Sequence, residues 1–459
     1  MTMKLFTGDR LAGLARHRGL PEDYLRDLRV VSAVLPFRVN NYVADELIDW
    51  SAVPDDPIFR LTFPHRDMLP PSVFTAVAEL LDAGASREVL AKAAAAARHT
   101  LNPHPGGQLE ENVPMLDGHP VLGLQHKYRE TVLVFPSQGQ TCHAYCGYCF
   151  RWAQFVGSET RQALSDPHRM TGYLREHPEV TDLLFTGGDP MIMRTSVLRR
   201  WVEPFLAADL EHVATLRFGT KSLSYWPARF TEDPDADDLL RLLEQCVAAG
   251  RHVAVMAHFS HPRELQTTAV QQAIARVRDT GAVIRAQAPL VAHVNDDAET
   301  WAQLWQLCVA AGIIPYYMFV ERDTGARSYF EVPLARALRI YVDAISRVSG
   351  LARTARGPVM STHIGKIVLD GAPIVHGEQV FALRMLQARN PELVGRQFFA
   401  RYDQGAYWFD DLEPALGSEI PGRFPIEIGA SWRDSRRVRP GEADGRIRRT
   451  SGAGPAAPR

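Results

Sequence analysis

Six short β-rich runs, most followed by an amphipathic helical pattern, constrain this chain more than any other feature. TVLVFP from 131, TDLLFT from 181, VATLRFG from 213, HVAVMAH from 252, AVIRAQ from 282 and IIPYYMF from 313 suit a buried, pleated surface. After them come stretches with apolar residues every three to four positions, such as ADDLLRLLEQCVAAG from 236, WAQLWQLCVAAG from 301 and LARALRIYVDAIS from 334. Strand–helix alternation of this length predicts a parallel sheet with helices outside, because parallel strands need long crossovers and helices supply them. Right-handed crossovers curl such a sheet into a partial or complete barrel.

Residues 126–370 are the expected α/β core. Residues 1–125 read as a helical N-terminal region and linker, with SREVLAKAAAAARH from 86 and the turn-rich run NPHPGGQLEENVP. An irregular C-terminal extension is expected over 371–430. Residues 431–459, with eight Arg against three acids and many Gly and Pro, read as a disordered tail without an aromatic platform for nucleic acid.

Reactive residues of parallel α/β folds gather where strands end and loops begin. Here the cysteine run TCHAYCGYC follows the first strand, GGDP the second, GTKS the third and HFSHP the fourth, while Gln287 ends the fifth. All five fall on one rim. A net charge of −2 over 459 residues gives no basis for binding nucleic acid or an anionic membrane. No stretch reaches the roughly 20 apolar residues of a membrane span, so a soluble cytoplasmic protein is expected.

Five cysteines, three of them at 142, 146 and 149, are not a disulfide framework. Cys246 and Cys308 lie on apolar helical stripes and read as buried packing residues. Cysteine thiolates are the usual ligands of a [4Fe–4S] cluster, and Cys142, Cys146 and Cys149 would leave one of its irons open. A zinc site completed by His143, and a redox dithiol of Cys146 and Cys149, are the competing readings.

The three-cysteine loop resembles the signature of the radical S-adenosylmethionine (SAM) superfamily. CFRW, LRFGTKS, AHFSHP, AQAPLVAHVND and PYYMF, in order across roughly residues 55 to 370, resemble the lysine 2,3-aminomutase family within it. That resemblance implies a partial (β/α)6-type radical SAM barrel, in which cluster-bound SAM is split to a 5′-deoxyadenosyl radical and an amino group migrates between adjacent carbons. It implies that Gly187, Gly188, Asp189, His258 and Gln287 hold SAM, and that Arg151 clamps a substrate carboxylate. It further implies pyridoxal phosphate (PLP) carried by Lys366, a small amino-acid-like substrate and a reducing donor such as a flavodoxin or ferredoxin. Bland alternatives accompany several of these residues: GGD is an ordinary strand-end turn, His261 a helix cap, Asn295 and Asp296 a helix start, and Lys366 the first polar residue of KIVLDG.

The chain departs from the family in four places. MSTHI replaces the glycine run before Lys366, and an arginine that grips the PLP phosphate aligns with Thr131, leaving Lys127 and Arg129 as substitutes. The aspartates that recognise the distal ammonium of lysine fall near Arg322 and Val359, with Asp323 adjacent. An arginine there repels an ammonium, so a substrate other than lysine is expected. No cysteine follows Cys308, so a homo-oligomer remains open but not one assembled through the family's C-terminal zinc. A PLP-independent hydrogen-abstracting enzyme and a non-catalytic iron–sulfur protein are the alternative functions.

Overall fold

A computed structural model describes residues 2–157 and 162–421. The expected disordered tail lies outside the described residues. A twelve-stranded sheet dominates, built from β1 (Leu124–Tyr128), β2 (Thr131–Val134), β3 (Asp182–Phe185), β4 (Thr215–Thr220), β5 (His252–His258), β6 (Val283–Leu290), β7 (Ile314–Val320), β8 (Arg356–Ser361), β9 (Gly365–Gly371), β10 (Ile374–Val375), β11 (Glu378–Ala388) and β12 (Gln397–Arg401). Strands β2 to β8 run parallel in chain order.

Each parallel crossover carries a helix, at Pro167–Arg175, Thr195–Val202, Ala236–Ala248, Thr268–Asp279, Ala298–Ala310 and Leu334–Ser346. The helices stay on the outside because their apolar stripes have only the sheet to cover them. Leu239, Leu242, Leu243 and Cys246 are fully buried on one helix, as are Trp301, Leu304, Trp305 and Cys308 on another, each large apolar side chain contributing about 1.5–3 kcal/mol. Side-chain caps fix where helices begin: Thr267 accepts from the Val270 N–H and Asp297 from the Thr300 N–H at 2.8 Å. Both late cysteines are packing residues, as their stripes predict.

Antiparallel strands flank the parallel set. β1 pairs with β2 at one end, and β9, β11, β10 and β12 extend the other. Residues 371–421 therefore differ from the irregular extension expected over 371–430, whose last nine residues lie outside the described ones: Glu378–Ala388 alternates inward apolar residues such as Phe381, Leu383 and Met385, and these build a second core with Phe398 and Phe409. The sheet curls until its ends approach. Lys127 on β1 donates to the Thr362 carbonyl between β8 and β9, and Lys366 Nζ lies 5.4 Å from the Tyr128 ring. Among the described residues no ladder joins β1 to the far strands. No helix among the described residues is long and apolar enough to cross a membrane.

Candidate functional site

The C-terminal rim of the parallel strands surrounds a cavity of about 330 Å³. Cys142, Cys146, Cys149, Arg151, Gly187, Gly188, Asp189, His258, Gln287 and Lys366 all line it. Ten positions spread over 225 residues of sequence thus share one space. The loop order explains the convergence, since each strand of a parallel sheet ends on the same side.

The cysteine loop is held from outside the barrel. Arg38 donates to the Cys142 carbonyl at 3.1 Å, the Asn40 amide to the His143 carbonyl at 3.3 Å, and the Gly147 N–H to the Leu61 carbonyl at 2.7 Å. Nothing in residues 38 to 61 announces that role in sequence. Burial pushes all three thiols up, Cys149 to about 12, and at Cys142 and Cys149 the charge of other thiolates adds to the effect. Such a pocket keeps its thiols protonated until a cation displaces the protons. Among the described residues no three His, Cys, Asp or Glu side chains are grouped to hold one metal ion. His143 is engaged elsewhere, its Nδ1 2.9 Å from Ser222 Oγ, and burial lowers its pKa to about 3. The donor set therefore fits a multi-iron cluster, whose cysteines sit on different irons, better than a single zinc.

The strand-end glycines are steric requirements. A Cβ on Gly188 would lie 2.4 Å from the Thr141 carbonyl oxygen, one residue before the first cysteine. Asp189, one of the residues expected to hold SAM, is already engaged within the protein. Its carboxylate already accepts from the Met191 N–H at 2.9 Å, the Thr220 hydroxyl at 2.8 Å, the Lys221 N–H at 2.9 Å and the Ser222 hydroxyl at 3.0 Å. Four donors fill the lone-pair sites of two oxygens. Burial raises its pKa and these donors offset part of that rise, so Asp189 pins the β3 loop to the β4 loop.

His258 and Gln287 are neighbours in register, and their side chains meet at 2.9 Å. Burial, with Lys221 nearby, lowers His258 to about 3, leaving it neutral. Lys221 itself reaches the fully buried Glu264 at 2.6 Å. The capping alternative for His261 is realised at Pro262–Leu265, whereas Asn295 and Asp296 do not start the next helix, which Asp297 caps; Asn295 donates to the Ser260 and Pro289 carbonyls.

Across the cavity lie the cations. Arg151 packs its guanidinium over Phe135 and Phe150, at 4.2 and 4.8 Å, and its buried Nη1 has no partner. Burial lowers its pKa to about 9. Lys366 donates to Gln387 Oε1 at 2.7 Å between the Tyr128 and Tyr317 rings, and burial beside Arg217 and Arg356 lowers its pKa to about 7. Gly365 sets that geometry, because a Cβ there would meet the Gln387 carbonyl at 2.1 Å. Lys127 is brought to about 6, chiefly by burial, and Thr131 lines the same wall. Arg129, in contrast, is exposed, and Asp323 accepts from Asn102 through Oδ2 at 3.1 Å while its Oδ1 lies 4.0 Å from Arg322 Nε. Glu321, which no sequence motif marks, also lines the cavity; burial raises its pKa well above the carboxylate range.

No protein-family model matches the chain. It is 31% identical over 393 residues to the "Putative L-lysine 2,3-aminomutase" of Aquifex aeolicus, covering 85% of this chain and 91% of that one. It is 30% identical to the L-lysine 2,3-aminomutase of Escherichia coli over 239 residues, 52% of this chain and 66% of that one. Among solved structures, a radical SAM methyltransferase from Sphaerobacter thermophilus superposes with a TM-score of 0.37 at 16% identity, covering 77% of this chain and 93% of that one. A curled parallel α/β sheet with a three-cysteine loop after its first parallel strand, together with the two aminomutase relatives, makes the chain a radical SAM enzyme. It belongs to the lysine 2,3-aminomutase family.

Proposed function

We propose that the protein catalyses a 2,3-aminomutase-type amino migration on an amino acid other than lysine. Cys142, Cys146 and Cys149 would hold a [4Fe–4S] cluster with one open iron; Gly187, Gly188, His258 and Gln287 would hold SAM beside it. Bound there, the pair supplies a hydrogen-abstracting radical to an unactivated carbon. Arg151 would pair a substrate carboxylate through its unpartnered edge, since a planar fork matches two carboxylate oxygens.

Lys366 would carry PLP, and its environment fits that task. An amine with a pKa of about 7 is substantially neutral, hence nucleophilic, at physiological pH. When bound, PLP supplies a covalent carrier for the substrate nitrogen. Lys127, which burial brings to about 6, would regain its proton beside a phosphate. The surrounding apolar and aromatic wall excludes water that would quench a radical.

One observation carries the proposal: cysteines, strand-end glycines, unpaired guanidinium and nucleophilic lysine line a single cavity. Lysine is disfavoured as substrate because the acids lining that cavity among the described residues are Asp189, already saturated, and Glu321, whose charged form burial disfavours. The test is product analysis with the anaerobic, reduced protein supplied with SAM, PLP and a panel of amino acids. An isomer of unchanged mass bearing its amino group on carbon 3 is expected, absent in Lys366→Ala. Equal isomer formation by that variant would defeat the PLP-dependent reading.

A further inference from the structure

We propose that the substrate is a dicarboxylic amino acid and that Arg322 is the residue that selects its distal carboxylate. The inference rests on the aminomutase reading above, in which Arg151 takes the first carboxylate.

Two guanidinium groups line the cavity without a carboxylate hydrogen-bonded to them, although Asp323 Oδ1 lies 4.0 Å from Arg322 Nε. Arg322 follows β7 and lies over Phe150 at 5.4 Å and Trp408 at 6.0 Å. Arg151 lies over the same Phe150 ring at 4.8 Å, so the two guanidinium carbons are at most about 10 Å apart. Arg322 Nε is buried and donates to nothing, and the nearest carboxylate, on Asp323, stays 4.0 Å away. The other oxygen of that carboxylate, Oδ2, accepts from Asn102 at 3.1 Å. A Cβ at Gly106 would sit 2.8 Å from Arg322 Nη2, so the residue beneath the guanidinium is one that gives it room.

Aromatic rings lie beside each guanidinium, and a planar fork pairs a carboxylate through its edge. Each cation has its own aromatic slot, Phe135 with Phe150 for Arg151 and Phe150 with Trp408 for Arg322. Two slots this close suit two carboxylates on a short carbon chain. A desolvated donor left unpaired is costly, and a ligand with one acid would leave the second guanidinium stranded. The amide of such a ligand would present an N–H₂ to a fork that only donates, which is a mismatch rather than a mere loss.

The test is equilibrium binding to the holoprotein without reductant, using L-glutamate and L-aspartate against L-glutamine and L-asparagine. At least one acid is expected to bind about 10- to 100-fold more tightly than its amide. Arg322→Gln should bring that ratio to near one, by weakening the acid and relieving the mismatch with the amide, while PLP uptake and thermal stability stay put. Arg322→Lys, which keeps the charge on a less planar group, should retain part of the preference and serves if the glutamine variant fails to fold. Equal binding of acid and amide by the natural protein, an undiminished ratio in Arg322→Gln, or loss of PLP in place of acid selectivity each overturns the assignment. Because nothing turns over, acid-selective binding without amino migration would sink the aminomutase reading alone.

Discussion

Gly188→Ala tests how the strand-end turn and the cysteine loop depend on each other. The added Cβ would stand 2.4 Å from the Thr141 carbonyl oxygen and 2.5 Å from that residue's carbonyl carbon and nitrogen. Backbone cannot rotate away as a side chain can, so the two segments must separate by about 1 Å to restore ordinary contact. Separation strains the Asp189 N–H bonds to the Thr141 carbonyl at 2.8 Å and the Gly139 carbonyl at 3.1 Å, and it carries Cys142 with it. Overpacking of this kind costs about 1–3 kcal/mol, well below the 5–15 kcal/mol of a typical domain. The fold should survive, and SAM affinity of the iron-loaded protein should fall about 5- to 150-fold. Calorimetry with SAM reads the affinity and circular dichroism the fold. Gly250→Ala, at a position with φ +80° and nothing within 4 Å of the new methyl, is the control: it should lose stability but not SAM affinity. Unchanged SAM binding in Gly188→Ala would refute the steric account.

Lys366 should behave as a neutral amine above about pH 7. Burial penalises the ammonium, so labelling by an amine-reactive probe, read by mass spectrometry, should rise about tenfold from pH 6 to 8 and then level. Continued log-linear rise toward pH 10 would indicate an ordinary lysine. Glu264→Gln should destabilise the protein by about 3–5 kcal/mol in a denaturant titration, because it strands the Lys221 ammonium inside. Lys221→Met combined with Glu264→Leu should lose less, and an equal loss would contradict the buried-pair account. Arg38→Ala removes a charged donor from the Cys142 carbonyl, which is worth about 1.5–3 kcal/mol. Reconstituted iron should fall while circular dichroism stays unchanged; full iron loading would show that the clamp is dispensable.

Local pattern carried much of this architecture. Each of the six β-rich runs became a parallel strand because an apolar run bounded by a helical period has few other ways to be buried, and strand order then placed the site on one rim. The cysteine spacing was legible in the residues themselves and Lys366 only through the resemblance, and all four side chains line one cavity. What escaped was long-range. Arg38 and Asn40 hold the cysteine loop across more than 100 residues, with no periodicity to signal it. Asp189 carries a carboxylate at the expected position, yet its engagement depends on Thr220 and Ser222, one strand away. β11 and β12 were missed because their inward apolar residues are interleaved with Arg384, Gln387 and Gln397, which weakens the alternation.

The central claim is that Cys142, Cys146 and Cys149 hold a cluster whose open iron binds and splits SAM. Release of 5′-deoxyadenosine and methionine from SAM by the anaerobically reconstituted, reduced protein tests it most directly. The account predicts release by the natural sequence and none by Cys146→Ala, with circular dichroism unchanged. Equal release by the variant, or none by the natural protein carrying a full complement of iron and sulfide, would contradict it.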